Sequence, residues 1–235
     1  MSVYAFDMLI GDFGAGFGQS PLQWLIRQAR NAAADTLLVK SGRAAKPKAR
    51  RADLDCEDVR QSRRGDSDAY RRLVERHQEH VGHIMWRFSR DRRVHEELVQ
   101  DVFVEAYMSL GTYAGKAPFE HWLARIATRV GYRYWKQSRR QREAEPFSIE
   151  EWDRVARSTQ EPIDAIGAGE LVHKMMAQLP PRDRLVLTLR FLDECDVAET
   201  ARRTGWTKAM VKVQTLRARK KLQRIFDANW REENG

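Results

Sequence analysis

Lysine and arginine are concentrated in one stretch near the C-terminal end of the chain. Between Arg202 and Arg224 the sequence has nine basic residues and no acidic one. A helix that is only solvated normally carries both signs, because opposite charges three or four positions apart stabilise each other. A stretch of one sign instead favours a polyanionic partner, which can be a nucleic acid or an anionic membrane surface. The net charge of +9 agrees with either.

The elements that must position these charges are two short helices. We expect one helix from Asp196 to Arg203 and a second that begins after Thr207 and runs to about Phe226. Asp196 with Glu199 predicts a capping box, and Thr207 predicts a cap for the second helix. Gly205 in the intervening turn allows the left-handed backbone that a sharp reversal requires. These dimensions predict a helix-turn-helix, whose core the preceding helix completes.

The second helix of this unit is expected to contact DNA. Residues near its start would reach base edges, and arginines before and after them would hold phosphates. The candidate set for this surface is Arg202, Arg203, Thr207, Lys208, Ala209, Lys212, Gln214, Arg217 and Arg219.

A second stretch of one sign runs from Arg125 to Arg142, with seven basic residues, no acidic one and three interleaved aromatic residues. Cations that follow a nucleic-acid backbone, together with aromatic faces on which bases stack, suit unpaired or partly opened DNA. The alternative is that the aromatic residues belong to a core, which we favour for Trp122 and consider for Trp135. The candidate DNA contacts here are Arg125, Arg129, Tyr132, Arg133, Lys136, Arg139 and Arg140.

The remaining sequence predicts an all-α protein in two small domains. Apolar spacing of three and four residues predicts three helices within 66–142, with breaks at 91–94 and 111–118. Residues 143–169 have seven acidic residues and two arginines, which predicts either a tether that DNA repels or a plain solvated spacer. We expect a disordered extension at 1–52, domains at 60–142 and 170–227, and a linker at 143–169.

Several classes of function find no support in the sequence. There is no phosphate-binding glycine loop, nucleophile elbow or paired-carboxylate signature, so we expect neither an enzyme nor a cofactor. Three histidines, His77, His80 and His83, lie three residues apart, but no cysteine or carboxylate pattern completes a metal site. No apolar run is long enough to insert in a membrane and no secretory signal is evident, so we expect a cytoplasmic protein.

Three segments in register resemble the extracytoplasmic-function (ECF) group of bacterial sigma factors. They are ELVQDVFVEAY at 97–107, APFEHWLARIA at 117–127 and LPPRDRL at 179–185, and the resemblance extends from Asp66 to Phe226. It implies a sigma region 2-like helical bundle and a sigma region 4-like helix-turn-helix domain, joined by a flexible acidic linker. It also implies core RNA polymerase, promoter DNA and an anti-sigma factor as partners.

The resemblance assigns a role to each part of the chain. The helix at 96–110 would dock on the β′ clamp helices of polymerase through Glu96, Gln100, Asp101, Phe103 and Glu105. The loop at 111–118 and the helix after it would capture a flipped base and read the downstream promoter element. The helix-turn-helix would read the upstream element, and the acidic linker would enter the RNA path. The residues at 96–105 also fit an amphipathic core helix, and both descriptions can hold on opposite faces.

The chain departs from the family at several positions. Arg129 and Arg133 stand where asparagine and aspartate are often found, and Lys208 stands where an acidic residue is common. Val213 replaces a small polar residue and Thr215 a leucine, which indicates a shifted promoter preference. The resulting hypothesis is an alternative sigma factor that directs promoter recognition, DNA melting and transcription initiation. Its rivals are a free-standing helix-turn-helix regulator that does not engage polymerase, and a basic protein that binds RNA or a membrane surface.

Overall fold

The computed structural model describes residues 48–144 and 172–234, which form helices and turns without a strand, so the all-α prediction is confirmed. These residues divide into two compact units. The first contains 48–141 together with 195–212, and the second contains 142–144, 172–194 and 213–234. Most of the N-terminal extension and the linker from residue 145 lie outside the described residues. The expectations for those segments, and the domain boundaries, stay predictions.

The first unit begins with a helix that the sequence did not predict. Helix α1 spans Lys48–Ser62, and its first residues fall within the segment 1–52. Helix α2 spans Ser67–Trp86 and packs against α1. Two carboxylates of α1, Asp55 and Asp58, are buried at this contact.

The contact between α1 and α2 is a network of buried charges. Arg72 donates to Asp58 at 2.7 Å, Arg76 bridges Asp58 and Asp55, and His77 Nε2 lies 3.0 Å from an Asp55 oxygen. Burial alone would lower the pKa of Arg76, but its hydrogen bonds with Asp58 and Asp55 raise that pKa overall. Since an unpaired buried carboxylate costs several kcal/mol, this pairing fixes where α1 lies.

Three further elements complete the helical bundle. Helix α3 spans Arg92–Ser109, a 3₁₀ turn spans Leu110–Thr112, and helix α4 spans Phe119–Ala144. The first break lies at 87–91 rather than at 91–94, because the Asp91 carboxylate accepts from the Val94 N–H and caps α3. Leu73 of α2, Val102 of α3 and Leu123 of α4 are fully buried, as the apolar periodicity predicts, and His77 of α2 is fully buried outside that pattern.

The second unit consists of short helices and the C-terminal part of a long one. A helical segment at 172–177 is followed by α5, Pro181–Leu187, and by a π-helical turn, Thr188–Leu192. The last helix, α7, spans Lys208–Asn234 and is longer than predicted. The buried Asp183 of α5 accepts hydrogen bonds from Gln214 and Lys221 of α7, the latter at 2.5 Å. None of the described helices is long and apolar enough to cross a bilayer.

Candidate nucleic-acid interface

The predicted helix-turn-helix is present, and its local signals act as expected. Helix α6 spans Val197–Thr204, and the Asp196 carboxylate accepts from the Glu199 N–H at 2.6 Å. Gly205 follows with φ of 75° and ψ of 15°, the left-handed conformation that the turn requires. The Thr207 hydroxyl oxygen accepts from the Met210 N–H at 3.2 Å and caps α7. The N-caps at Asp196 and Thr207 and the role of Gly205 are confirmed, while the Glu199 carboxylate, which a full capping box directs to the Asp196 N–H, pairs with Arg202 and Arg203.

The first turns of α7 present a basic surface with an apolar strip. Lys208, Ala209 and Lys212 are exposed as predicted, whereas Val211 is buried. Val213 and Leu216, which were not among the candidates, are also exposed. They follow Ala209 at helical spacings of four and seven, and therefore lie on its face, away from Val211. That spacing was the signal in the sequence that could have found them.

Two predicted DNA contacts are instead engaged within the protein. The Arg203 side chain is half-buried and donates to the Glu199 carboxylate at 2.9 Å. Gln214 is half-buried and donates to the buried Asp183. Arg202 is exposed but also donates to Glu199, at 2.9 Å. Burial would raise the pKa of Glu199, but the hydrogen bonds from Arg203 and Arg202 lower it overall, so this carboxylate stays charged.

The two remaining arginines of the upstream set, Arg217 and Arg219, are exposed on α7. The Arg219 guanidinium lies 5.9 Å from the centre of the Phe191 ring. Cation–π contact at this distance leaves the outer nitrogen atoms of a guanidinium open to an anion. Arg217 and Arg219 therefore remain suited to phosphate.

Helix α4 carries its basic residues on one face. Arg125, Arg129, Arg133, Lys136 and Arg140 are exposed and follow one another at spacings of three or four residues, and Arg139 is exposed beside them. The half-buried Tyr132 lies among them, and Lys136 Nζ is 5.9 Å from the centre of its ring. The seven candidates for the downstream element are therefore brought together.

The opposite side of α4 belongs to the core. Trp135 is buried, and its Nε1–H donates to the Phe88 carbonyl oxygen at 2.8 Å. The half-buried Trp122 packs against Phe119 with 5.3 Å between ring centres. The core interpretation of Trp135 is confirmed, and that of Trp122 is confirmed in part.

The outer face of α3 combines acidic and apolar side chains. Glu96, Gln100 and Asp101 are exposed, and toward the C-terminal end of the helix so are Val104, Tyr107 and Met108, the last at 81%. We call this set, with Glu97, the α3 outer face. Phe103 was predicted to be a surface contact, and this is wrong, because its side chain is only 8% exposed and lies on the core side.

Glu105, the fifth candidate on α3, faces α4. One of its carboxylate oxygens lies 3.1 Å from Arg129 Nη2 and the other lies 2.8 Å from Arg133 Nη2. A residue predicted to contact polymerase is thus ion-paired with two residues predicted to contact DNA.

The three histidines of α2 have separate surroundings. His77 is buried against Asp55, and His80 Nδ1 lies 3.4 Å from a Glu120 oxygen. Burial is the main cause that lowers the pKa of His80 and of His83. In the part of the chain that the structure describes, no group of three His, Cys, Asp or Glu residues could hold a metal ion.

The segments that carry these surfaces match two models of known protein families. A model of sigma-70 region 2 matches residues 73–141, and a model of sigma-70 region 4 matches residues 169–222. Together they span just over half of the 235 residues. The chain belongs to the sigma-70 family. The α3 outer face and the basic face of α4 lie within the region 2 match of this sigma factor, and its helix-turn-helix lies within the region 4 match up to residue 222 of α7.

Individual relatives of this sigma factor are distant but similar over most of its length. It is 27% identical to the RNA polymerase sigma-H factor of Pseudomonas aeruginosa over 188 residues, which cover 77% of this chain and 97% of that one. It is 29% identical to the ECF RNA polymerase sigma-E factor of Escherichia coli over 169 residues, covering 68% and 88%. A solved structure of CnrH in complex with the cytosolic domain of CnrY is 24% identical, covering 74% and 98%, with a TM-score of 0.47. Its curated relatives place this sigma factor in the ECF group of transcription initiation factors.

Proposed function

We propose that this sigma factor binds core RNA polymerase through the α3 outer face and positions two separate DNA-reading surfaces on a promoter. The observation that carries the proposal is the separation of charge and polarity within the first unit. An acidic and apolar face on α3 lies in the same bundle as a face of α4 whose exposed charged side chains are all basic. Such a pair of surfaces suits one protein partner and one nucleic-acid partner at the same time.

The α3 outer face has the composition of a protein-docking surface. Exposed aromatic and methionine side chains are enriched in the buried centres of protein interfaces, and Tyr107 and Met108 are of this kind. At the other end Asp101 contributes a negative charge, while Glu96 and Glu97 pair with Arg92 and Arg93 at 3.0 Å and 3.2 Å. Asp101 would favour a basic partner and is unsuited to DNA. The β′ clamp helices of polymerase are the proposed partner. A free-standing regulator would have no use for this face.

The two basic surfaces would read different forms of DNA. On α4, the half-buried ring of Tyr132 lies on the same face as the exposed cations, with Lys136 Nζ 5.9 Å from its centre, and this combination would bind unpaired bases and their phosphates in the downstream element. On α7, Lys208 and Lys212 would reach base edges of the upstream element in the major groove. The exposed Val213 and Leu216 would contact thymine methyl groups there.

Other parts of the proposal follow from the resemblance to ECF sigma factors. The factor would act in the cytoplasm, would carry out no catalysis of its own, and would leave polymerase after initiation. An anti-sigma factor would hold it inactive, and the α3 outer face is the surface such a protein would have to cover.

Binding to purified core polymerase tests the proposal. Asp101→Ala, and separately the double variant Val104→Ala with Met108→Ala, should weaken binding about tenfold, which corresponds to the loss of about 1.4 kcal/mol at an interface hot spot. Glu75→Ala is the matched control, because Glu75 is an exposed acid on α2, outside the α3 outer face. Failure of the wild-type chain to bind core polymerase, or wild-type affinity of both α3 variants, would contradict the proposal.

A further inference from the structure

Glu105 lies between two surfaces that serve different partners. It belongs to α3, but it stands at the edge of the outer face and its side chain is only 26% exposed. Its two oxygens contact two different guanidinium groups of α4, those of Arg129 at 3.1 Å and Arg133 at 2.8 Å. The carboxylate is therefore shielded, while the Arg133 side chain remains 61% exposed and Arg129 about as much.

The two arginines form a clamp suited to phosphate. They are four positions apart on α4, so their side chains lie next to each other on the basic face. Guanidinium groups bind carboxylate and phosphate with the same fork geometry, and a phosphate can therefore replace the carboxylate. Ion pairs as exposed as these are worth little in water, so the replacement is accessible.

The fixed carboxylate still opposes that replacement. Glu105 is held by the α3 backbone beside the clamp, and a phosphate that binds both guanidinium groups meets its negative charge at short range. This charge lowers the affinity of the clamp for DNA, and the two contacts also keep the guanidinium groups together when DNA is absent.

We propose that Glu105 is a positioning residue of the DNA-binding face. It holds Arg129 and Arg133 together as a phosphate clamp and limits the affinity of that clamp for the DNA backbone. The inference rests on the proposed function, in which α4 meets DNA, and it assigns Glu105 to the DNA surface instead of the polymerase surface.

Glu105→Gln in the full chain tests this assignment. Binding of a short fluorescent single-stranded oligonucleotide of mixed sequence would be followed by anisotropy over a range of salt concentrations. The variant should bind about threefold to tenfold more tightly than wild type. Its plot of log affinity against log salt should be steeper by up to about 0.7, the value for one further phosphate on a single strand.

The matched control is Glu75→Gln, which removes the same charge from α2. Glu75 is exposed, lies outside the α3 outer face, and has the Arg71 guanidinium of its own helix 3.9 Å away. It should leave DNA affinity within about twofold of wild type. In a chain that already carries Arg129→Gln and Arg133→Gln, the gain from Glu105→Gln should disappear.

Three results would overturn the inference. These are an equal gain in Glu75→Gln, a gain that persists without the two arginines, and a lower melting temperature of Glu105→Gln with unchanged DNA affinity. Glu105→Gln should also bind core polymerase as wild type does. Weaker binding would instead indicate that Glu105 contacts polymerase. Failure of the wild-type chain to bind polymerase would instead count against the proposed function, and the DNA result would be read independently.

Discussion

Adjacent positions on α3 differ in what their side chains contact. Asp101 and Val104 are exposed, whereas Val102 and Phe103 between them are buried. The resemblance assigned Phe103 to the polymerase contact, although residues 96–105 also fitted an amphipathic core helix. Packing against the rest of the bundle places Phe103 inside and leaves Val104 as the exposed apolar neighbour.

Phe103→Ala should act on stability and not on recognition. Removing a buried phenyl ring leaves a cavity, and we expect the free energy of unfolding to fall by about 3 to 5 kcal/mol in denaturant titrations. Val104→Ala, at the exposed neighbour, should change it by no more than about 0.5 kcal/mol. A Phe103→Ala chain that keeps wild-type stability and loses polymerase binding would restore the original prediction.

Polar residues on α7 show a second limit of sequence reasoning. Gln214 and Lys221 donate to Asp183, more than thirty positions earlier in the chain. No local pattern predicts such a partner, so Gln214 was placed on the DNA surface. The exposure of Lys208, Ala209 and Lys212 could be predicted from the position of the turn alone, and all three are exposed in the structure.

At the scale of elements, local signals predicted some helices and missed one. The helix-turn-helix was predictable because Asp196, Gly205 and Thr207 act within a few residues of themselves. Helix α1 was missed because buried carboxylates hold it to arginines of α2, and hydrophobic periodicity contains no trace of that interaction. Ion pairs between distant segments become visible only in the folded structure.

Helix α4 depends on a glycine for its contact with the end of α2. A Cβ atom at Gly131 would lie 2.3 Å from Phe88 Cδ1, and the Phe88 ring is itself packed on Trp135 with 4.4 Å between ring centres. We therefore expect Gly131→Ala to destabilise the fold by about 1 to 3 kcal/mol, despite the better helix propensity of alanine.

Thermal unfolding measures this effect, and Gly111→Ala provides the comparison. A Cβ atom at Gly111 would meet nothing within 4 Å, so that variant should remain within about 0.5 kcal/mol of wild type. Equal melting temperatures for the two variants would show that α4 does not need the close approach at Gly131.

At the scale of the whole molecule, stability should depend on pH through α2. Burial lowers the pKa of His80 and His83, so the folded state favours their neutral forms. As pH falls through the ordinary value of 6.5, the unfolded chain takes up these protons first. The contribution of these two histidines to the free energy of unfolding is therefore fully present above pH 6.5. It is lost as the pH falls from 6.5 toward their lower pKa values in the folded state.

Free energies of unfolding at about pH 7.5 and about pH 5.5 would show this loss. The double variant His80→Asn with His83→Asn should lose less stability than wild type over the same interval. An identical loss in the variant would assign the pH dependence to other groups.

The proposed function depends on the order in which the polymerase-binding and DNA-binding surfaces occur along the chain. The helical class and the family were evident from motifs in register, and the family matches at 73–141 and 169–222 agree with the resemblance. Whether each candidate contacts its proposed partner is a separate question, since Phe103 is buried, Arg203 is ion-paired with Glu199, and Gln214 donates a hydrogen bond to Asp183. For the proposed function, both DNA-reading surfaces must work on one promoter while polymerase holds the factor.

Transcription in vitro over a library of promoter fragments tests that requirement most directly. Core polymerase with this chain should start transcripts from a subset of fragments that share two sequence elements at a constant spacing, and Asp101→Ala should abolish them while Glu75→Ala does not. Transcript patterns identical to those of core polymerase alone, from a chain shown to be folded, would contradict the central claim.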